Sequence, residues 1–448
     1  MAASVVSSVA LATSSQIAGA ALVFHLQPAP HPMLPTLFRI DATAPQTKGL
    51  LEAMVAEGGE KLLAAVAVPS RIFGLTSPWA PGLSFVGAEV PLWPATAPGP
   101  ADLISAGGVG LSLGAALVSC LGESIERVSQ AAREGDVAFR GSLADAGGRV
   151  DPNVVELANV VAALNGTDRG TPIDWIGGRS WASAREVLLP ADWVLRRSAA
   201  GPLRMTNTPL STGVAAGPTL EDARTRAILE LIERDAIAQW WIGGRRGRPI
   251  PLEAAGEAAA LVATAQAGAH CRATWLLDVT TDIDVPCLVS LSVGADGRGL
   301  ACGMAARSGF ALAARAAILE MCQMELALLV VELKRQERGD DALNAVDRQH
   351  VLRATTIDAN DCDLLHPAGA PRIGTERPSP VATPVERLAA VTEVAFVDLT
   401  RPDYGVPVVA AIAPALQRFP SDVATARLTQ AMASFGGGAR WTRGVPLG

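Results

Sequence analysis

Glu230 and Glu233 stand three residues apart in the run Thr219 to Trp241, TLEDARTRAILELIERDAIAQWW. At helical spacing Leu220, Ala223, Ala227, Ile228, Leu231, Ile232 and Ile237 supply packing positions, while Asp222, Glu230 and Glu233 fall close together around the axis. Two carboxylates at i and i+3 repel unless a cation sits between them, and Thr219 with Asp222 already opens the helix with a cap and an acidic first turn. Such a pair suits a hard divalent cation. The same oddity recurs twice: Ser119, Glu123 and Glu126 in SCLGESIER, and Glu320 with Gln323 in AILEMCQME, each projecting polar atoms from one face of an apolar helix.

Three such faces converging on one site would gather four or more carboxylates. The five histidines form no HxxxH or HExxH arrangement, so zinc hydrolysis has no support. Magnesium takes oxygen ligands, often one or two carboxylates per ion with phosphate oxygens, and the ligand implied is a nucleotide. GGVG at Gly107 to Gly110 precedes the first helix, but no GxxxxGK[ST] is present, which disfavours a P-loop enzyme. The competing reading pairs these carboxylates with Arg127, Arg234 and Arg315 at the surface, the commoner outcome for any single helix.

The elements that must position these residues are an N-terminal strand-bearing region and linker over 1–95, a catalytic block over 96–425 and a tail over 426–448. Helices are expected near Ala115 to Arg133, Thr219 to Trp241 and Ala311 to Arg335. Strands are expected at Thr274 to Asp278, Pro286 to Val293, Val394 to Asp398 and Val406 to Ile412, giving an α/β class with α+β layers. With 448 residues and 49% hydrophobic content the chain has ample material for a core. A formal charge of -7 argues against a dedicated nucleic-acid binder; the short basic cluster Arg245, Arg246 and Arg248 reads as a solvated turn. The first cation is Arg39 and Ser7, Ser8, Ser14, Ser15 and Gln16 interrupt the first apolar run, so neither an export signal nor a membrane span is expected. Six cysteines without a CxxC pair read as buried thiols of a cytoplasmic protein.

One further motif points elsewhere. Gly110, Ser112 and Gly114 spell the GxSxG of a hydrolase nucleophile elbow, which needs a strand before it. ADLISAGGVG reads as a poor strand, and a structural loop is the stronger expectation for Ser112.

Together SCLGESIER, STGVAAGPTLEDA through IERDA, RAAILEMCQ and DLTRPDYGVPVV resemble the successive motifs of the YcaO family, with IDWIGGRS and LLDVTTDIDVPC between them. The resemblance runs in order over about residues 105–416. It implies long helices packed on mostly antiparallel sheets, with an ATP site between the helices. It also implies Glu123, Glu126, Glu230 and Glu233 as Mg2+ ligands, and Ser119, Glu123, Asp222, Glu230, Glu320 and Gln323 as nucleotide contacts. Arg234, Arg315 and Gln323 then form the catalytic set. The activity implied is ATP-dependent cyclodehydration of Cys, Ser or Thr in a precursor peptide; thioamidation of the backbone and a non-catalytic scaffold role are the alternatives. Implied partners are the precursor peptide, a leader-binding protein resembling the ubiquitin-activating-enzyme fold and a flavin-dependent azoline dehydrogenase, in an oligomeric complex. Pro218 and Thr212 stand where the family commonly has Asn, and TRGVPLG stands in place of a Pro-x-Pro-x-Pro tail.

Overall fold

The computed structural model describes residues 37–40, 47–93, 103–164, 168–197, 211–269, 272–372, 382–418 and 422–447. The apolar run Ala20 to Leu26, residues 94–100 of the expected linker, and His25, His31, His270 and Cys271 lie outside them. The chain begins with β1 (Leu37–Ile40), α1 (Thr47–Ala56), β2 (Arg71–Leu75), β3 (Ser84–Pro91), β4 (Leu103–Gly110) and α2 (Leu113–Ser129). It continues through β5 (Phe139–Gly141), α3 (Leu143–Ala146), α4 (Pro152–Leu164), β6 (Ile173–Ser180), β7 (Glu186–Pro190), β8 (Val214–Ala216) and α5 (Leu220–Trp241). Then come α6 (Leu252–Gln266), β9 (Ala273–Asp278), β10 (Cys287–Val293), β11 (Ala301–Ala306), α7 (Phe310–Arg338) and α8 (Ala345–Thr356). The last elements are α9 (Pro384–Ala389), β12 (Ala395–Asp398), β13 (Val408–Ile412), α10 (Ala426–Phe435) and α11 (Ala439–Thr442).

The strands form three sheets, ordered β1-β2-β3-β4, β11-β10-β9 and β5-β6-β12-β13-β8 with β7 on β6. Every described pairing between these strands is antiparallel. Thus β4, β8 and β11 are all edge strands, and each leads directly into a long helix: β4 into α2, β8 into α5, β11 into α7.

The helices differ in how they are buried. The small residues of β11, ACGMAA, let α7 lie close against it, while CLVSLSV of β10 is buried throughout. In α5 apolar residues surround the axis, and this helix shares the largest core with β9, β10 and β11 and with Leu428, Val445 and Leu447 of the C-terminal segment. Trp240 and Trp241 anchor it through indole N–H bonds to the carbonyls of Leu364 (3.0 Å) and Val445 (2.7 Å). The expected boundary at residue 95 falls between two paired strands, β3 and β4, and the expected tail shares the α5 core.

The segment expected to be a poor strand is β4, eight residues in register with β3. Its glycines serve helix approach: a Cβ at Gly108 would lie 2.2 Å from the Ala116 carbonyl oxygen of α2. Ser112 therefore does have a strand before it and a helix after it, but its hydroxyl caps α2, accepting from Ala115 N–H (3.1 Å) and donating to Glu57 (2.8 Å). The described histidines, His350 and His366, bond Arg353 and the Ala359 carbonyl instead.

Gly303 in β11 plays the part of Gly108 in β4, since a Cβ there would lie 2.1 Å from Ala317 O and 2.2 Å from Met321 N of α7. Both clashes are with backbone, so the strand must move. Gly303→Ala is expected to lower stability by about 1–3 kcal/mol or more, read as a drop in urea midpoint; an unchanged midpoint would refute the close strand–helix packing.

Candidate active site

The three strand–helix units share a register. Ser112 to Glu123, Thr219 to Glu230 and Gly309 to Glu320 are each eleven residues, counted from the helix N-cap. Three residues further on, one helical turn, stand Glu126, Glu233 and Gln323.

Each unit uses its first glutamate on its own edge. Glu123 accepts the Gly107 N–H of β4 (2.8 Å), Glu230 the Gly213 N–H just before β8 (3.1 Å) and Glu320 the Met304 N–H of β11 (2.8 Å). The residue three positions on reaches the next unit: Glu126 accepts the Ala216 N–H of β8 (2.7 Å) and Glu233 the Ala306 N–H of β11 (3.2 Å). Gln323 closes the ring, its Nε2 lying 2.5 Å from where a Cβ of Gly107 would be. Edge strands present unpaired N–H groups that must be satisfied when covered. Here carboxylates satisfy them.

The cations around this ring are few. Arg127 binds Glu123 at 2.8 Å, and Arg234 stands 3.6 Å from Glu230 and 3.7 Å from Glu233. Its Nε is buried without a hydrogen-bond partner. Among the described residues the ring holds five carboxylates against these two paired guanidiniums.

Burial dominates the proton affinities that follow. It pushes Glu126 up to about 8, aided by the charges of Glu230 and Glu123 and opposed by the Ala216 N–H and Arg127. Glu230 rises to about 7 by burial, opposed by Arg234 and reinforced by Glu233. Glu320 also rises to about 7, by burial and then by the charge of Glu233, and burial raises Glu233 despite Arg234 and Arg307. Two pairs therefore repel across units: Glu126 with Glu230, and Glu233 with Glu320. Burial raises the proton affinity of the Cys287 thiol as well, with Glu233 the next cause, so this cysteine is a packed thiol.

The remaining residues singled out in the sequence are exposed. Ser119 is exposed on α2 one turn before Glu123, beside Gly108. Asp222 is exposed and receives the Thr219 hydroxyl (2.6 Å) at the start of α5, about 12 Å along the axis from Glu230. Arg315 is exposed on α7. Two arginines that the sequence reading passed over also stand here: Arg226 donates to the Ala216 carbonyl (3.1 Å) and Arg307 to that of Ala306 (2.7 Å). The surface-pair alternative holds in part, since Arg127 and Arg234 do pair within their own helices, but inside a ring of buried carboxylates.

A family model described as YcaO cyclodehydratase, ATP- and Mg2+-binding, matches residues 107–417. The chain belongs to the YcaO family. Its fold is that of solved YcaO proteins. A heterocyclase in complex with substrate and cofactor superposes with a TM-score of 0.68 at 22% identity, covering 89% of this chain and 56% of its own. YcaO from Methanopyrus kandleri, bound with AMPPCP and Mg2+, gives 0.55 at 19% identity, covering 83% of this chain and 91% of its own. The E. coli microcin synthetase McbBCD complex with pro-MccB17 bound gives 0.60 at 13% identity, covering 78% and 89%. At these identities the likeness shows the fold alone, and the chain spans little more than half the length of the first heterocyclase. No curated protein matches the chain in sequence. No described helix is long and apolar enough to cross a membrane.

The donor set fits the family's metal. All five acids offer oxygen, the class Mg2+ prefers, and burial raises the proton affinities of Glu126, Glu230, Glu233 and Glu320, a cost that a bound cation would offset. Among the described residues no three His, Cys, Asp or Glu side chains close on one point. Mg2+ commonly takes one or two carboxylates and leaves its other positions to phosphate oxygens and water.

The sign of the pH dependence follows. A buried acid whose folded pKa is raised binds a proton more tightly folded than unfolded, so stability falls as pH rises between the two values. For Glu126 that window runs from 4.5 to about 8. Asp282 and Asp347, with lowered pKa, titrate below 3.8 and leave this window untouched, while His350, pushed down to about 4 by burial, opposes the fall only below 6.5. In ligand-free protein the Tm is expected to fall across it, and Glu126→Gln to flatten the fall and raise Tm at its upper end. A steeper fall in the variant would refute the assignment.

Proposed function

We propose that this chain is the ATP- and Mg2+-dependent cyclodehydratase of a peptide-modification system. The observation that carries this reading is the ring of five glutamates drawn from α2, α5 and α7, in which Glu126, Glu230, Glu233 and Glu320 are raised in proton affinity by burial and repel across units. Glu126 with Glu230, and Glu233 with Glu320, are the pairs that would each hold a Mg2+ ion, while Glu123 is neutralised by Arg127. The Gln323 amide at the remaining position adds no charge, so the third junction is suited to nucleotide contact. Ser119 and Asp222 are the nucleotide's polar contacts in this reading, with Arg315 beyond them.

ATP supplies a phosphoryl group that turns an amide oxygen into a leaving group. The Cys, Ser or Thr side chain of the precursor attacks the preceding carbonyl carbon, the oxygen departs as phosphate, and the peptide loses one water per ring. The chain's share of this work is to hold charge and geometry. Arg234 stands between Glu230 and Glu233 and fixes both carboxylates. The edge-strand N–H groups aim the others, so the site is pre-ordered before substrate arrives. Little covalent chemistry is asked of the protein, as in phosphoryl transfer generally.

A heterocyclase solved with substrate and cofactor, and a microcin synthetase complex holding pro-MccB17, support a precursor peptide as substrate and an assembled complex as setting. The partners proposed are a leader-binding protein of ubiquitin-activating-enzyme type and a flavin-dependent azoline dehydrogenase. A complete carboxylate ring supports catalysis over a role in docking alone.

Glu230→Gln and Glu233→Gln are each expected to cut precursor-dependent ATP consumption by about 100-fold or more, measured as ADP release at saturating Mg2+. Either variant turning over at the wild-type rate would sink the proposal. The product mass decides the reaction: loss of water for a ring, exchange of oxygen for sulfur for a thioamide.

A further inference from the structure

The repeated units expose one position at which they differ sharply. Two residues before each helix N-cap stand Gly110, Gly217 and Arg307. In the first two units a side chain is excluded: a Cβ at Gly110 would lie 2.7 Å from Ala115 Cβ and 2.8 Å from Ala116 N, and at Gly217 2.5 Å from Ala223 N. Only the third carries a guanidinium.

The backbone around Gly217 and Arg307 is otherwise alike. Each donates its N–H across the sheet, to Pro407 O and Pro286 O, both at 3.0 Å, and each follows an alanine whose N–H is held by a glutamate of the preceding unit. The N–H and C=O of one strand residue point to the same side. Arg307 donates to the Ala306 carbonyl at 2.7 Å and Glu233 accepts the Ala306 N–H at 3.2 Å, so guanidinium and carboxylate meet along one stretch of the β11 edge. Its charge opposes the burial-driven rise in proton affinity of both Glu233 and Glu320.

Arg307 nevertheless has no ion-pair partner among the described residues, and that one carbonyl is its whole set of side-chain hydrogen bonds. The rest of its five N–H donors have no acceptor among the described residues, on a half-buried side chain. The other arginines near the ring are differently placed. Arg127 and Arg234 are matched to glutamates of their own helices, and Arg418 is buried on the carbonyls of Trp193 and Thr212. Arg226 and Arg315 are exposed. Cations at the Glu233 and Glu320 carboxylates would leave the fork of Arg307 beside them as the natural partner for an anion those cations bind, and a planar guanidinium matches phosphate bidentately.

We propose that Arg307 is a phosphate-contacting residue, bound to a phosphate group at the Glu233–Glu320 end of the ring, either that of the nucleotide or the inorganic phosphate released from it. The inference rests on the nucleotide reading above. It is tested on the full chain by calorimetric titration with Mg2+–AMPPCP, and by thermal protection with Mg2+ and inorganic phosphate. Arg307→Ala is expected to weaken the first by roughly tenfold or more, with Arg307→Lys intermediate because it keeps charge but loses the fork. Normal AMPPCP binding with protection by inorganic phosphate abolished assigns Arg307 to the released phosphate and also upholds the proposal. Arg307→Ala matching wild type in both assays overturns it while leaving the nucleotide reading intact. A wild-type chain that binds no Mg2+–AMPPCP overturns both. Should Arg307→Ala fail to fold, Arg307→Gln gives the same readings.

Discussion

Three sheet edges meet at one place in this protein, and the N–H groups they expose there have to be answered. An edge strand left bare costs the desolvation of each buried donor, and adding another strand would fill the junction. Glutamates reaching over from α2, α5 and α7 answer them instead. The solution fixes helix register against strand, since Glu123, Glu230 and Glu320 must each stand eleven residues beyond the N-cap to reach their own edge. It also fixes unit against unit, because Glu126 and Glu233 satisfy donors that belong to the next strand. Packing at Gly108 and Gly303, where helix backbone leaves no room for a methyl, keeps the strands close enough for the bonds to form.

The arrangement satisfies hydrogen bonds at an electrostatic cost. A carboxylate is a good acceptor for a backbone N–H, but five of them in a partly dry ring repel, and among the described residues Arg127 and Arg234 are the arginines ion-paired to them. An amide oxygen would accept from the same donors without charge. Keeping acids at these five positions is therefore poorly explained by folding alone and well explained by a bound cation. The break in the repeat has its own consequence, because Gln323 and Met324 stand where the other units have Glu126–Arg127 and Glu233–Arg234. The charge is thus concentrated at two of the three junctions, and the site has a direction despite its threefold plan.

Much of this was legible in the sequence, and the illegible part has a physical reason. The helices, their acidic stripes and the cap at Thr219 follow from local spacing, and the capping bond to Asp222 is present. The helix-to-strand bonds were not readable, since Glu126 and Ala216 are separated by 90 residues and Glu233 and Ala306 by 73. The segment Leu103 to Gly110 reads as a poor strand because glycine carries no strand preference, yet glycine is what tertiary contact with α2 demands there. Arg307 was passed over for a similar reason. Its meaning comes from the Gly110 and Gly217 counterparts, and those align only when the units are counted from their helix caps rather than from their motifs.

The same count bears on how such a site tolerates change. Each carboxylate of the ring carries two loads, an edge-strand donor and a share of the charge, and the two separate under amide substitution. An amide can accept the same N–H and so preserve strand placement, while removing a charge that destabilises the ligand-free ring. A chain in which Gln replaced Glu126, Glu230 and Glu320 would shed the charges whose burial costs stability near neutral pH. Selection for folding alone would favour that exchange at Glu126, where burial and two neighbouring acids act together. The acid that stands there, with its proton affinity pushed up to about 8 by burial and by the charges of Glu230 and Glu123, is therefore where the hydrogen-bonding load and the charge load of the ring pull hardest against each other.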